Sequence, residues 1–409
     1  MKSILLRWHI LTAAPHRVMF LAGAIQALAA IAWWLDALMR PAQAGIGLAL
    51  GAVWIHAFLM IYAFFPFFIF GFLFTTYPNW MGAPKITFPA YVSTFCLMSA
   101  GTILFYAGTV WGLGLLAGGA GLLASGWLVA LSSLARLWAR TPHPDKRHPG
   151  ATTVALAAGW LGLLAYIGGL VTGDAQALAF ALTAGIWFCL VPVFLTVSHR
   201  MIPFFSSCVL EDYKVWRPYR LLWAALGLAV LHGCLSLAGL AAWRWVADAP
   251  LAAIALTLSA AWGLRRAFQV RLLAVLHVSF LWLGLACLLY AASSLMALLD
   301  GSGRHALGFA PLHALAIGYF AGMVIAMASR VTLGHSGRPL VADGATWLLF
   351  WGLQAVVVLR LAPDIAATLG HPLFRLYPVA ALAWLACFVP WFAKYAPIYL
   401  RTRADGRPG

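Results

Sequence analysis

The sequence predicts an all-α membrane protein that crosses the bilayer about twelve times, with both termini in the cytoplasm. Three observations carry this. Of the 409 residues 64% are apolar and only 9% are charged, and the mean hydropathy is +0.92, which no soluble core of this length requires. Apolar runs of about 20 residues recur from end to end, the length that spans roughly 30 Å of hydrocarbon as a helix. The runs are continuous rather than alternating, so they are helices and not barrel strands.

The predicted spans follow one another with short loops. The first, 18–36, is entered through Pro15-His16-Arg17, and the second, 46–71, ends in the phenylalanine-rich run 64–70. Spans 88–110 and 112–137 form a crowded pair between Lys85 and the basic segment 136–147, and 152–172 and 176–198 form another, which ends at Ser198-His199-Arg200. Spans 219–240 and 246–264 follow, the second of them short, before Arg265, Arg266 and Arg271 introduce 272–298. Span 308–329 leads to Arg330, and 342–360 and 376–398 complete the set ahead of a basic tail. No internal repeat is visible, no cleavage pattern follows the first span, and no loop is long enough for a separate soluble domain.

Charge sets the orientation. Of the 26 lysines and arginines, 21 fall on the side that holds both termini and five on the other, a strong positive-inside bias. The net charge of +16 is therefore a signal of topology and of contact with the lipid bilayer; no nucleic acid is implied. The six cysteines stand singly without a Cys-x-x-Cys pair, which excludes iron–sulfur clusters and c-type haem attachment. Acidic residues fall in loops or at span ends, Asp248 among them, which weakens a reading as a coupled transporter built on buried carboxylates.

Histidines do enter the spans. Counting 1.5 Å per residue from the span ends places His56, His232 and His313 in the outer half of the bilayer and His277 in the inner half. His16, His199 and His335 lie near His277 in depth, giving two histidine layers. A neutral imidazole tolerates burial and ligates haem iron or copper; it also makes interhelical hydrogen bonds, and both readings stand for each residue. Arg200 meets lipid headgroups or a propionate-like carboxylate. Arg330 and Arg338 flank the loop Gly334-His335-Ser336-Gly337-Arg338, which lacks the spacing and lysine of a phosphate-binding loop and is suited to clamping an anion. His143 and His148 read as solvated loop residues, and the phenylalanine-rich run as core or lipid packing.

Several elements in order along the chain resemble one family: Pro15-His16-Arg17; His56 with Met60; Gly71-Phe72-Leu73-Phe74-Thr75-Thr76-Tyr77-Pro78-Asn79-Trp80; Arg200-Met201-Ile202-Pro203-Phe204-Phe205; Leu276-His277; and the His313 helix continuing through Ser329 to Pro339 with Gly-His-x-Gly-Arg inside it. Together they resemble the NnrS proteins. The resemblance implies a multi-pass protein of the bacterial inner membrane that takes part in nitric oxide metabolism and the response to nitrosative stress, carrying haem b and copper. It implies His56, His277 and His313 as intramembrane ligands, with His16 and His335 near the cytoplasmic face. Nitric oxide or an iron nitrosyl is the implied partner; the sequence names no electron donor. Many members carry His and Glu where this chain has Phe58 and Leu59, so a metal centre built on that pair is expected to be altered or absent. The alternative function is a membrane transporter or a factor that assembles a metal or haem cofactor.

Overall fold

The computed structural model describes residues 2–40, 51–299 and 306–406, with side chains from Arg7 onward. The first five residues of the predicted second span, 46–50, lie outside them. The described residues are 83% helical, with no strand among them. After a short leading helix α1 (Lys2–Leu11), the long helices are α2 (Pro15–Met39), α3 (Ala52–Trp80), α4 (Phe88–Trp111), α5 (Leu113–Arg140), α6 (Arg147–Thr172) and α7 (Ala175–Ser207). They continue with α8 (Tyr219–Leu237), α9 (Trp245–Ala261), α10 (Arg271–Leu299), α11 (Ala310–His335), α12 (Gly344–Thr368) and α13 (Leu376–Tyr399). Eleven of these, among the described residues, are long and apolar enough to cross a membrane. The remaining long helix, α9, has 17 residues and occupies the place of the predicted short span 246–264.

Local chemistry sets the boundaries. The two crowded pairs separate at single glycines: Gly112, with φ +115°, divides α4 from α5, and Gly173, with φ +73°, ends α6. Asp174 then caps α7, its carboxylate accepting from the Gln176 amide at 2.8 Å, because a short acceptor satisfies an orphan N–H at a helix start.

Two compact units divide the chain. One comprises residues 1–190, 328–340 and 388–409; the other comprises 191–327 and 341–387. In the first unit α3 is the core helix, with residues 58–59 and 61–74 all buried. The phenylalanine-rich run is thus core packing. α4 and α5 approach backbone to backbone through small residues: a methyl at Gly101 would stand 2.5 Å from the Leu123 nitrogen. Such contacts drive helix association where lipid removes the hydrophobic contrast. In the second unit α10 packs against α9 and against α11, with Trp262 fully buried and its indole N–H donating to the Trp216 carbonyl at 3.0 Å.

Three helices contain π-helical turns: 59–64 in α3, 184–190 in α7 and 314–321 in α11. They fall four spans apart, a regularity the sequence does not display. Wide turns leave carbonyls badly placed, and π-bulges concentrate near functional sites. In the first unit the Gln26 amide donates to the Leu59 carbonyl at 3.4 Å, and the Tyr62 hydroxyl donates to the Ala181 carbonyl at 2.5 Å.

Candidate functional site

In the first unit, one end of the helices gathers a cationic cluster around two imidazoles. Ala14 is extended and Pro15 opens α2, so His16 and Arg17 occupy its first turn, each 3% exposed. A cation there opposes the helix dipole and needs acceptors. Arg17 finds three, donating to the carbonyls of Ile10 (3.1 Å), Tyr399 (3.4 Å) and Arg401 (2.9 Å). It thereby ties the end of α1 to the end of α13. The Tyr399 hydroxyl bonds Thr332 at 2.8 Å, and the Trp391 indole donates to Ser329 at 3.0 Å, fixing the last turns of α11.

These anchors bring His335, the last residue of α11, against His16. Their ring centroids are 4.8 Å apart, tilted by 45°, and Thr75 on α3 reaches His16 Nδ1 at 3.5 Å. The glycine-rich loop then turns sharply. Gly337 has φ +70°, and a Cβ there would lie 2.7 Å from the Asp405 carboxyl carbon. The Ser336 carbonyl accepts from the Ala404 amide at 2.9 Å. Asp405 takes Arg403 in two contacts of 2.9 and 2.6 Å, a hydrogen-bonded pair that raises the pKa of the Arg403 guanidinium. Arg17, Arg403 and Lys85 all act electrostatically on His335. Arg338 turns back toward Arg17, and its Nη1 is buried without a hydrogen-bond partner among the described residues.

His56 lies on α3 just before the π turn and stacks on Trp34, centroids 4.3 Å apart and 21° from parallel. Phe58 and Leu59 are fully buried, and Phe58 stacks on Phe105 at 3.9 Å. Aromatic packing fills the place where a ligand pair would stand. Arg330, in the same unit, is 7% exposed.

The second unit holds a buried acid that the sequence reading placed at a span end and discounted. Asp248, in the first turn of α9, is fully buried, and one of its carboxylate oxygens meets His232 Nδ1 at 2.6 Å. The other oxygen, Oδ2, has no hydrogen-bond partner among the described residues. Tyr290 of α10 meets the His232 ring edge-on at 4.9 Å, and Arg244 lies 5.8 Å over the Tyr290 ring. His277 Nε2 and the Ser206 hydroxyl are 3.0 Å apart. His313 is half-buried, and its Nδ1 donates to the Phe309 carbonyl of its own helix at 2.9 Å. Arg200 is half-buried and lies inside α7, after the fully buried His199, because the helix runs on to Ser207 past the predicted span end at 198.

Some expectations change. His148, read as a solvated loop residue, is fully buried in the first turn of α6. The inner-layer pair His16 and His335 does come together, whereas His56 and His313 belong to different units, each with its own local partner. Among the described residues no group of three or more His, Cys, Asp or Glu side chains is placed to hold a metal ion. Two participants escaped the sequence reading, Asp248 and Trp34. Asp248 was detectable: His232 and Asp248 stand eight residues either side of Leu240, where the α8–α9 hairpin turns.

The profile described as NnrS protein matches residues 10–403. The chain belongs to the NnrS family. No curated protein gives a significant match. The match covers both units, so the cationic cluster and the His232–Asp248 pair each lie within the NnrS region.

Proposed function

We propose that this NnrS-family protein binds haem b in the bacterial inner membrane, with both termini cytoplasmic, and handles nitric oxide or an iron nitrosyl, with copper as a second metal. The observation that carries the reading is the buried His232–Asp248 pair. An ionised carboxylate only accepts, so it holds the proton on Nδ1 and leaves Nε2 with its lone pair. Ligating histidines are commonly oriented this way. Haem, when bound, would supply an iron able to take up nitric oxide, and His232 is the residue that would hold it.

The residues of the first unit fit the remaining requirements separately. The buried Nη1 of Arg338 fits an anion of its own, such as a carboxylate, which pairs strongly with guanidinium. His16 and His335, with ring centroids 4.8 Å apart, are the two imidazoles that would hold a copper ion there, since copper accepts imidazole ligands. His277, His313 and His56 remain alternative ligands, with Arg200 and Arg330 as further anion contacts.

The buried Asp248 also favours the alternative, a transporter or cofactor-assembly factor, since intramembrane carboxylates commonly drive coupled transport. An optical spectrum of the purified protein, oxidised, reduced and with nitric oxide added, separates the two. A Soret band that shifts with nitric oxide and is lost in His232→Ala is expected. Absence of the band after expression with adequate haem overturns the haem reading.

A further inference from the structure

An open cavity of about 690 Å³ lies in the first unit between the α3–α4 loop and the end of α5. Three cations line it, Lys85, Arg136 and Arg140, together with the hydroxyl residues Thr87, Ser133 and Thr141, and no carboxylate does. The cations are not used by the fold. Lys146, rather than either arginine, caps the last carbonyls of α5, donating to Trp138 at 2.6 Å and Thr141 at 3.1 Å. Asp145, on the loop that follows, is engaged by Arg147 at 2.9 Å. Arg136 makes one backbone contact, from Nε to the Ser132 carbonyl at 3.0 Å. Arg140 and Lys85 make no hydrogen bond or ion pair among the described residues. Three converging like charges without a counter-charge repel one another unless an anion neutralises them. The start of α4, capped at Thr87 without a side-chain hydrogen bond, adds the positive end of a helix dipole.

The source of the anion follows from what adjoins the cavity. Phe88, the residue after Thr87, is 50% exposed, and further along α4 Ile103 and Val110 are 69% and 66% exposed. An apolar surface descending from a cationic pocket suits one molecule with a phosphate at one end and acyl chains at the other. Basic pockets at the ends of membrane helices bind such headgroups. We infer that Lys85, Arg136 and Arg140 form a binding site for the phosphate headgroup of an anionic phospholipid, whose acyl chains lie along α4.

The test is native mass spectrometry of the full-length protein in neutral detergent, titrated with phosphatidylglycerol, phosphatidylcholine or inorganic phosphate. Phosphatidylglycerol is expected to bind in preference to phosphatidylcholine. Arg136→Gln and Arg140→Gln should each weaken it about five-fold, the value of one basic residue at a membrane surface. Arg375→Gln, which removes an exposed charge from another loop, should leave binding unchanged, and a monodisperse elution peak confirms that each variant folds. Equal binding of the two lipids, or wild-type binding by both arginine variants, overturns the site. Displacement of phosphatidylglycerol by millimolar inorganic phosphate shows a free-anion site and overturns the lipid assignment.

Discussion

Replacing His232 and Asp248 by leucine, singly and together, separates a structural pair from a ligand-holding one. Both groups are buried, at 1% and 0% exposure, so solvent screens neither. Removing one partner of such a pair typically costs about 3–5 kcal/mol, because the other is left buried without compensation. His232→Leu should be the worse single change, since it strands a carboxylate whose second oxygen has no hydrogen-bond partner among the described residues; Arg244, which acts on both groups, softens the loss. Replacing both by apolar residues is commonly near neutral, so the double variant should regain most of the lost stability. The coupling between the positions should therefore exceed about 2 kcal/mol. Thermal unfolding in detergent, followed through the 20 tryptophans, reads stability, and the absorption spectrum reads haem. The double variant should be stable and lack the Soret band. A double variant no more stable than the worse single one refutes the pairing energetics. A stable double variant with an unchanged spectrum refutes His232 as a ligand.

Gly337→Ala places an L-residue at φ +70°, at a cost of about 1–2 kcal/mol, and drives its Cβ into the Asp405 carboxylate. The tail should loosen, seen as faster trypsin cleavage at Arg401 and Arg403; an unchanged rate contradicts the role given to that turn. Tyr213, in the loop between α7 and α8, has its pKa raised by burial, partly offset by Ser206, Arg217 and Arg266. The folded protein then keeps a proton that the unfolded chain releases near pH 10, so stability falls as pH rises past that value. Tyr213→Phe should flatten the fall in thermal midpoint above about pH 10, and a slope identical to wild type rejects the assignment.

Much of the fold was legible because membrane spans are written in length and composition. The breaks at Gly112 and Gly173, which the sequence reading did not single out, fall on residues that adopt positive φ cheaply. The short span 246–264 became the 17-residue α9, since its length is near the minimum for crossing hydrocarbon. The π turns were not legible: a wide turn is an exchange of backbone hydrogen bonds, and no residue type announces it. At the site, counting depth brought His16 and His335 to one level, and the structure places them in contact. The same method failed for Asp248. A carboxylate at a span end reads as solvated unless the hairpin geometry, which pairs residues equidistant from its turn, is considered with the depth.

Hydrogen-bond accounting distinguishes polar groups that hold this fold together from those available for chemistry. Arg17 and Arg338 lie in the same cationic cluster and are the same residue type. Arg17 donates to the carbonyls of Ile10, Tyr399 and Arg401; its charge is committed to closing the first unit, and its loss should be felt as instability. Arg338 reaches the cluster through a turn that only Gly337 permits, and among the described residues its buried Nη1 has no acceptor. A buried charged donor left unsatisfied costs more than an ordinary hydrogen bond returns, so a sequence that keeps one has a use for it beyond the fold. The same reasoning sets Asp248 apart from Asp405, whose two oxygens both contact Arg403. The unsatisfied atoms of Arg338 and Asp248 are opposite in charge and sit in different units, so they call for different ligands: an acceptor for the guanidinium, and a donor or a cation for the carboxylate.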